Sequence, residues 1–193
     1  MAPIHSSARC HMRYSQITVT GLTAAALFLG CEDSTTSRQA KQLGITDPAM
    51  TMAVGFTSTV LARGNAGGFH VNSKVGDYNV EINAQDNTDF VVANISVVPG
   101  GTSGWHSHPG PVLVVVKTGT ITFYRARAHG DGNDGICSRT VYPTGSAFIE
   151  MGGQVANARN EGAVDATVYA TYFVPAGAPT RIDQPAPGGN CPA

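Results

Sequence analysis

His106 and His108 stand one residue apart in GWHSHPGPVLVVVKTG, residues 104–119, between a glycine-rich turn and a run of valines. Imidazole nitrogens are the commonest protein ligands of metal ions. In a strand, residues two apart point to the same face, so both rings can turn to one interior and hold one divalent ion. Two imidazoles leave a shell to complete, because catalytic zinc sites keep three protein ligands and non-haem iron oxygenases use two histidines and a carboxylate. Glu150, at the end of AFIE, offers a carboxylate if its strand turns it inward, and Gln154 offers an amide oxygen. The plain alternative is a pair of rings hydrogen-bonded to water and neighbours, with Trp105 packed beside them. His70 in GFHVNSK and His129 in RARAHGDG read as surface or loop histidines.

The elements that must position these residues are short strands. The 193 residues include Gly 23 and Pro 11, and the apolar runs are short and rich in Val, Ile, Thr, Phe and Tyr, the pattern of an all-β protein. TSTVLARG ends at Gly64. DYNVEIN alternates Tyr78, Val80 and Ile82 on one face, the period of a half-buried strand. DFVVANISVV stops at Pro99-Gly100-Gly101, and PVLVVVK and TITFYRA flank Thr118-Gly119, which predicts a hairpin. RTVYPTGSAFIEMGG, QVANARNEG and ATVYATYFV supply the remaining strands. About nine short strands, with no helix after the N-terminal segment and no internal repeat, predict a sandwich or barrel over residues 54–175. Tyr124, Tyr169, Tyr172 and Phe173 read as its core, and residues 176–193 as a Pro/Gly-rich tail with no packing pattern.

Residues 1–31 differ in kind. Arg13 precedes an apolar segment from Ile17 to Gly30, shorter than the ~20 residues of a membrane span and laid out like a secretory signal. Met12 is an alternative start. Phe28-Leu29-Gly30-Cys31 resembles the lipobox of bacterial lipoproteins, which makes Cys31 the expected lipidation site. Cleavage after small residues such as Thr35-Thr36-Ser37 would give a freely secreted protein instead. Either way export is expected, with membrane contact only through the signal segment or a lipid anchor, and residues 32–53 form a polar tether. Cys10 lies upstream of the signal, so Cys137 and Cys191 remain as a pair for an oxidising compartment. Their disulfide would tie the tail back to the loop after HGDGNDG and contribute about 3–5 kcal/mol in the chain-entropy model.

The glycine and histidine spacing places the site in a family. Gly100, His106-Ser107-His108, Val112 and Gly119 are spaced as in the first cupin motif. Gly145, Met151, Gly153, Ala156 and Asn160 follow the second, with Met151 where proline is usual. Over residues 54–175 the chain resembles the exported single-domain cupins of bacterial type. The resemblance implies a small jelly-roll β-barrel, an all-β single domain whose inward side chains form the site, and a homodimer. It also implies a shell of three histidines and a glutamate, yet Val112 stands at the glutamate position and Ala156 at the second-motif histidine position.

Two functional readings follow. One is a metal-dependent enzyme, dioxygenase- or isomerase-like, with Fe, Mn, Zn, Ni or Cu on His106 and His108 and with Gln154 or Glu150 completing the shell. The other is a non-catalytic module that binds a small molecule or serves as a scaffold, its metal site degenerate and its pocket lined by Trp105, Val112, Val114 and Ala156. Charged residues are only 13% of the chain and the net charge is -1, with no basic stripe for nucleic acid. No G-x-S-x-G or phosphate-binding glycine loop is present.

Overall fold

Alternating burial gives the strands their inner and outer faces. In the computed structural model, which describes residues 49–127 and 136–192, every regular element is a β-strand. The signal segment, Cys31, most of the tether and His129 lie outside the described residues. The strands are β1 (Val54–Val75), β2 (Tyr78–Thr102), β3 (His106–Ser107), β4 (Val112–Thr118) and β5 (Thr120–Ala126). They continue with β6 (Cys137–Pro143), β7 (Ala147–Glu150), β8 (Ala156–Arg159), β9 (Ala166–Pro175) and β10 (Ile182–Asp183). All pairings are antiparallel.

One layer runs β1-β2-β9-β4-β7 and the other β10-β3-β8-β5-β6, joined where Thr102 of β2 pairs with Arg159 of β8. The predicted hairpin at Thr118-Gly119 is not one. β4 pairs with β7 and β9, whereas β5 pairs with β6 and β8. The chain changes layer at Gly119 instead. Its φ of 72° favours glycine, and a Cβ there would come within 2.7 Å of Ala166 Cα and Asp165 O. The Pro143–Ser146 turn changes layer beside it, with Gly145 N–H bonded to Val116 O and Val116 N–H to Ser146 O at 2.9 Å each. A two-stranded ribbon folded over both layers is the jelly-roll topology that the sequence predicted.

The inward residues pack between the layers. Val91, Ala93, Ile95 and Val97 of β2 meet Val112, Val114 and Val116 of β4, Ile121 and Phe123 of β5, and Val168 and Ala170 of β9. Tyr172 belongs to this buried set, whereas Tyr169 is 36% exposed and points outward. Tyr124 is hydrogen-bonded to Glu161 in an exposed network with Arg139. The core expected of all the tyrosines therefore holds for Tyr172 alone of these three.

Two elements exceed their expected length. β1 passes through Gly64, which faces Phe90 in register, and β2 passes through Pro99-Gly100-Gly101 to Thr102. Glycine ends a strand only where the chain must turn. At Gly101 it permits close packing instead, since a Cβ would sit 2.6 Å from Gly55 O. The tail is the second surprise. β10 pairs with β3, Gln184 N–H donates to Trp105 O at 2.9 Å, and Trp105 Nε1–H donates to Pro192 O at 2.9 Å. The Cys137–Cys191 disulfide forms as expected. A segment held by backbone hydrogen bonds leaves no apolar period to read, so its packing was invisible in sequence.

Candidate metal centre

β3 is only two residues long, held between β10 and β8, with His106 opposite Asp183 on one side and Ala156 on the other. This places His106 and His108 in the interior at 5% and 4% exposure. Their rings lie 4.8 Å apart, nearly perpendicular at 81°. Each ring is oriented from behind. His106 Nδ1 donates to Gly104 O at 2.9 Å, with Ser103 Oγ at 3.3 Å, and His108 Nδ1 donates to Thr180 O in the tail. A carbonyl accepts only, so both Nδ1 atoms carry protons, and in a neutral ring so held the lone pair is on Nε2. Backing of this kind fixes the tautomer in metal-ligating histidines.

The carboxylate comes from the neighbouring strand. Val112, at the position where the resemblance expected glutamate, is directly opposite Glu150 across the β4–β7 ladder. Opposite residues in an antiparallel pair share a face, so Glu150 delivers an acid to the space that Val112 cannot serve. It is buried, and Glu150 Oε2 lies 3.3 Å from His108 Nε2. Ligand atoms of His106, His108 and Glu150 all fall within 4.8 Å of one another. A lone pair and a carboxylate facing each other out of water repel unless a cation or a proton lies between them. The donor set, two imidazoles and a carboxylate, fits a divalent iron or manganese ion.

The surroundings favour the ligand form of His106. Burial pushes His106 down to about 4, against the opposing pull of Glu150, while His108 and Arg181 add to the lowering. His106 is therefore neutral at neutral pH. Tyr172 packs its ring against His108 with centroids 5.3 Å apart. Burial first, and then the charge of Glu150, pushes its phenol well above the ordinary value. Its hydroxyl makes no hydrogen bond to another described residue, and Tyr172 lines the same cavity as His106, His108 and Glu150. Sequence reading took Tyr172 for plain core. Its place on the inward parity of β9, with Val168 and Ala170, was legible, but its neighbourhood to His108 was not.

That cavity is small, about 30 Å³, room for a water or two. Its polar lining comes from Ser103, His106, His108, Glu150 and Tyr172, and the rest is apolar, including Phe56, Val97, Ile121 and Phe148. Of the four residues expected to line a pocket, Val114 does so. Val112 and Ala156 are buried in the core outside this lining, and Trp105 is wholly buried under the tail. Gln154 does not line the cavity either. It follows a turn closed by its own N–H to Met151 O, and its Oε1 is a buried acceptor with no partner among the described residues. His70 lies elsewhere, exposed on the β1–β2 hairpin and 3.1 Å from Glu81.

A jelly roll carries both glycine-spaced motifs on strands that line one interior, with the paired histidines opening the first. This is a cupin fold. Among solved structures, an oxalate oxidase in complex with the substrate analogue glycolate matches at 21% identity and a TM-score of 0.42, covering 48% of this chain and 45% of that one. Peruvianin-I, described as a cysteine peptidase from Thevetia peruviana latex, matches at 17% identity and a TM-score of 0.48, covering 84% and 90%. A protein with a double-stranded β-helix domain from Klebsiella pneumoniae matches at 18% identity and a TM-score of 0.39, covering 61% and 84%. The chain spans less than half the length of the oxalate oxidases it matches. No protein-family model and no curated protein matches it.

Proposed function

We propose that this cupin barrel is a metal-dependent enzyme acting on a small molecule, with a divalent ion held by His106, His108 and Glu150. The observation that carries this reading is the meeting of three buried ligand atoms within 4.8 Å, with both histidine Nδ1 protons already committed to carbonyls. A divalent ion held there would supply a Lewis acid. The chain's residues do the rest. Gly104 O and Thr180 O hold the rings in place, Glu150 offsets positive charge, and the phenol of Tyr172 is a neutral hydrogen-bond donor facing the cavity. Phe56, Val97, Ile121 and Phe148 limit the water around it. A cavity of about 30 Å³ selects substrates of few atoms, or the reacting end of a larger one.

The disulfide supports a location outside the reducing cytosol, and with the signal-like N-terminus it leads us to infer export, as an envelope lipoprotein through Cys31 or as a secreted protein. Elemental analysis of the full chain beside its His106→Ala/His108→Ala double variant tests the metal reading. Near-stoichiometric iron or manganese in the wild type, absent from the variant, is the expected result. If no metal is retained after incubation with iron, manganese, nickel, copper and zinc, His108 and Glu150 share a proton instead. The barrel is then a non-catalytic binding module.

A further inference from the structure

The strand that opens the metal centre is held on its outer side by the C-terminal tail. β3 has two neighbours, β8 and β10, and β10 belongs to the tail. Ile182 and Asp183 face Ser107 and His106 in register. Gln184 N–H donates to Trp105 O at 2.9 Å, and Gln184 Nε2 donates to Ser107 Oγ at 3.0 Å. Thr180 O accepts the Nδ1 proton of His108. Every residue from Trp105 to His108 thus meets the tail.

The tail has no buried anchor of its own. None of residues 176–192 is buried, and Ile182, the one large aliphatic side chain among them, is 43% exposed. At the near end Gly177 N–H donates to Asp89, and Ala178 O accepts from Arg63. The far end has the one covalent tie, the Cys137–Cys191 disulfide. Beside it Asn190 Oδ1 accepts from Cys137 N–H at 2.7 Å, and Pro192 O accepts from Trp105 Nε1–H. Segments with few buried apolar contacts open locally far more readily than the core. With the bridge closed, both ends are fixed and Thr180 to Gln184 lie between them. With the bridge open, the chain beyond Ala178 is a free terminus kept in place by hydrogen bonds, each of modest net strength. Neither cysteine is buried, so a thiol reagent can reach the bridge.

We propose that the disulfide is a redox latch on the metal centre, opened by an external dithiol, and that opening it loosens the divalent ion. The inference rests on the metal reading above. One thiolate of the dithiol attacks a sulfur of the bridge, breaking the Sγ–Sγ bond and forming a mixed disulfide. The second thiolate then displaces the protein sulfur. Two electrons pass to the bridge, the dithiol leaves as a disulfide, and its two protons end on the thiols of Cys137 and Cys191. His108 then loses the carbonyl that fixes its tautomer, and β3 keeps only its pairing with β8. Loss of such a backing partner costs a metal site about 10–100-fold in affinity.

Trp105, the one tryptophan of the chain, is wholly buried beneath the tail and reports its release. The test takes the full chain reduced with dithiothreitol, capped with iodoacetamide and freed of both reagents. The oxidised chain, capped in the same way so that Cys10 and Cys31 match, stands beside it. Opening the latch should shift the Trp105 emission to the red and weaken manganese binding about 10–100-fold in a titration, with the circular dichroism of the barrel unchanged. Equal manganese affinity in the two forms overturns the proposal, whatever the emission does. Loss of the barrel's circular dichroism on reduction also overturns it, because the bridge would then hold the whole domain together. If the oxidised chain takes up no metal, the metal reading fails by itself, and the imidazole nitrogen shifts of His108 decide whether the bridge latches that ring. A proton fixed on Nδ1 in the oxidised form and shared between both nitrogens in the reduced form upholds the latch. The same tautomer in both overturns it.

Discussion

At the scale of single residues, the candidate site draws its carboxylate from β7, across the ladder from the position of Val112. Glu150→Gln keeps the shape of the side chain and removes its charge. Loss of even an outer-shell partner costs a metal site about 10–100-fold in affinity, so the substitution should weaken manganese or cobalt binding by at least that much in a titration. Unchanged affinity would remove Glu150 from the shell. Tyr172 acts one step further out. Tyr172→Phe keeps the ring against His108 and deletes only the hydroxyl, whose hydrogen bond to a bound ligand is worth about 0.5–1.5 kcal/mol. Metal affinity should be unaffected, while azide added to the metal-loaded protein should bind a few-fold more weakly. Equal azide affinity in the two proteins would make Tyr172 a packing residue, as its sequence position alone had implied.

At the scale of elements, the tail and the β1–β2 hairpin are held by ties that can be cut separately. The disulfide closes 54 residues and anchors the segment whose Thr180 O orients His108. Cys191→Ser should cost up to about 4 kcal/mol in the chain-entropy model, a fall in melting temperature on the order of 10 °C for a domain of this size. An unchanged melt would mean that the tail is held without the bridge. Asp89 ties β1 to the end of β9, accepting hydrogen bonds from Arg63, Asn65 and the Gly177 N–H. Those bonds, that of Gly177 foremost, lower its carboxyl to about 2. A carboxyl lowered on folding stabilises the protein above its unfolded value near ~3.9 and ceases to as pH falls through about 2. Asp89→Asn should therefore melt below the wild type at neutral pH, and the gap should close between those two values. A gap independent of pH would assign the loss to packing. These elements also mark what the sequence could carry. Alternation exposed the strands and a sandwich or barrel, the pair His106 and His108 stood out by its spacing, and the jelly roll came from the resemblance to the cupin motifs. Glu150 stayed a conditional candidate because register across β4 and β7 is a long-range fact. The layer change at Gly119 looked like a hairpin because a glycine turn reads alike in both. The tail was silent because backbone hydrogen bonds have no side-chain period.

At the scale of the whole molecule, the β1–β2 hairpin runs past Asp89 as a two-stranded arm to the turn at Gly76-Asp77, and only its barrel half faces the cavity. The barrel half of β1 and β2 supplies Phe56, Ile95 and Val97 to the cavity, while the arm supplies nothing to it. Replacing residues 66–87 by Asn-Gly would join Asn65 to Thr88, next to its register partner Asp89, through a two-residue turn suited to a tight hairpin. What the barrel loses is chiefly the edge-on contact of Phe69 with Phe90, worth about 0.5–1.5 kcal/mol beyond its buried area, or a few degrees of melting temperature. The shortened protein should fold, keep its disulfide and bind metal as the full chain does. Metal binding lost with the arm, in a protein that still folds, would show that the arm steadies the site from outside the cavity. Metal binding kept without the arm would leave the barrel a self-sufficient metal centre.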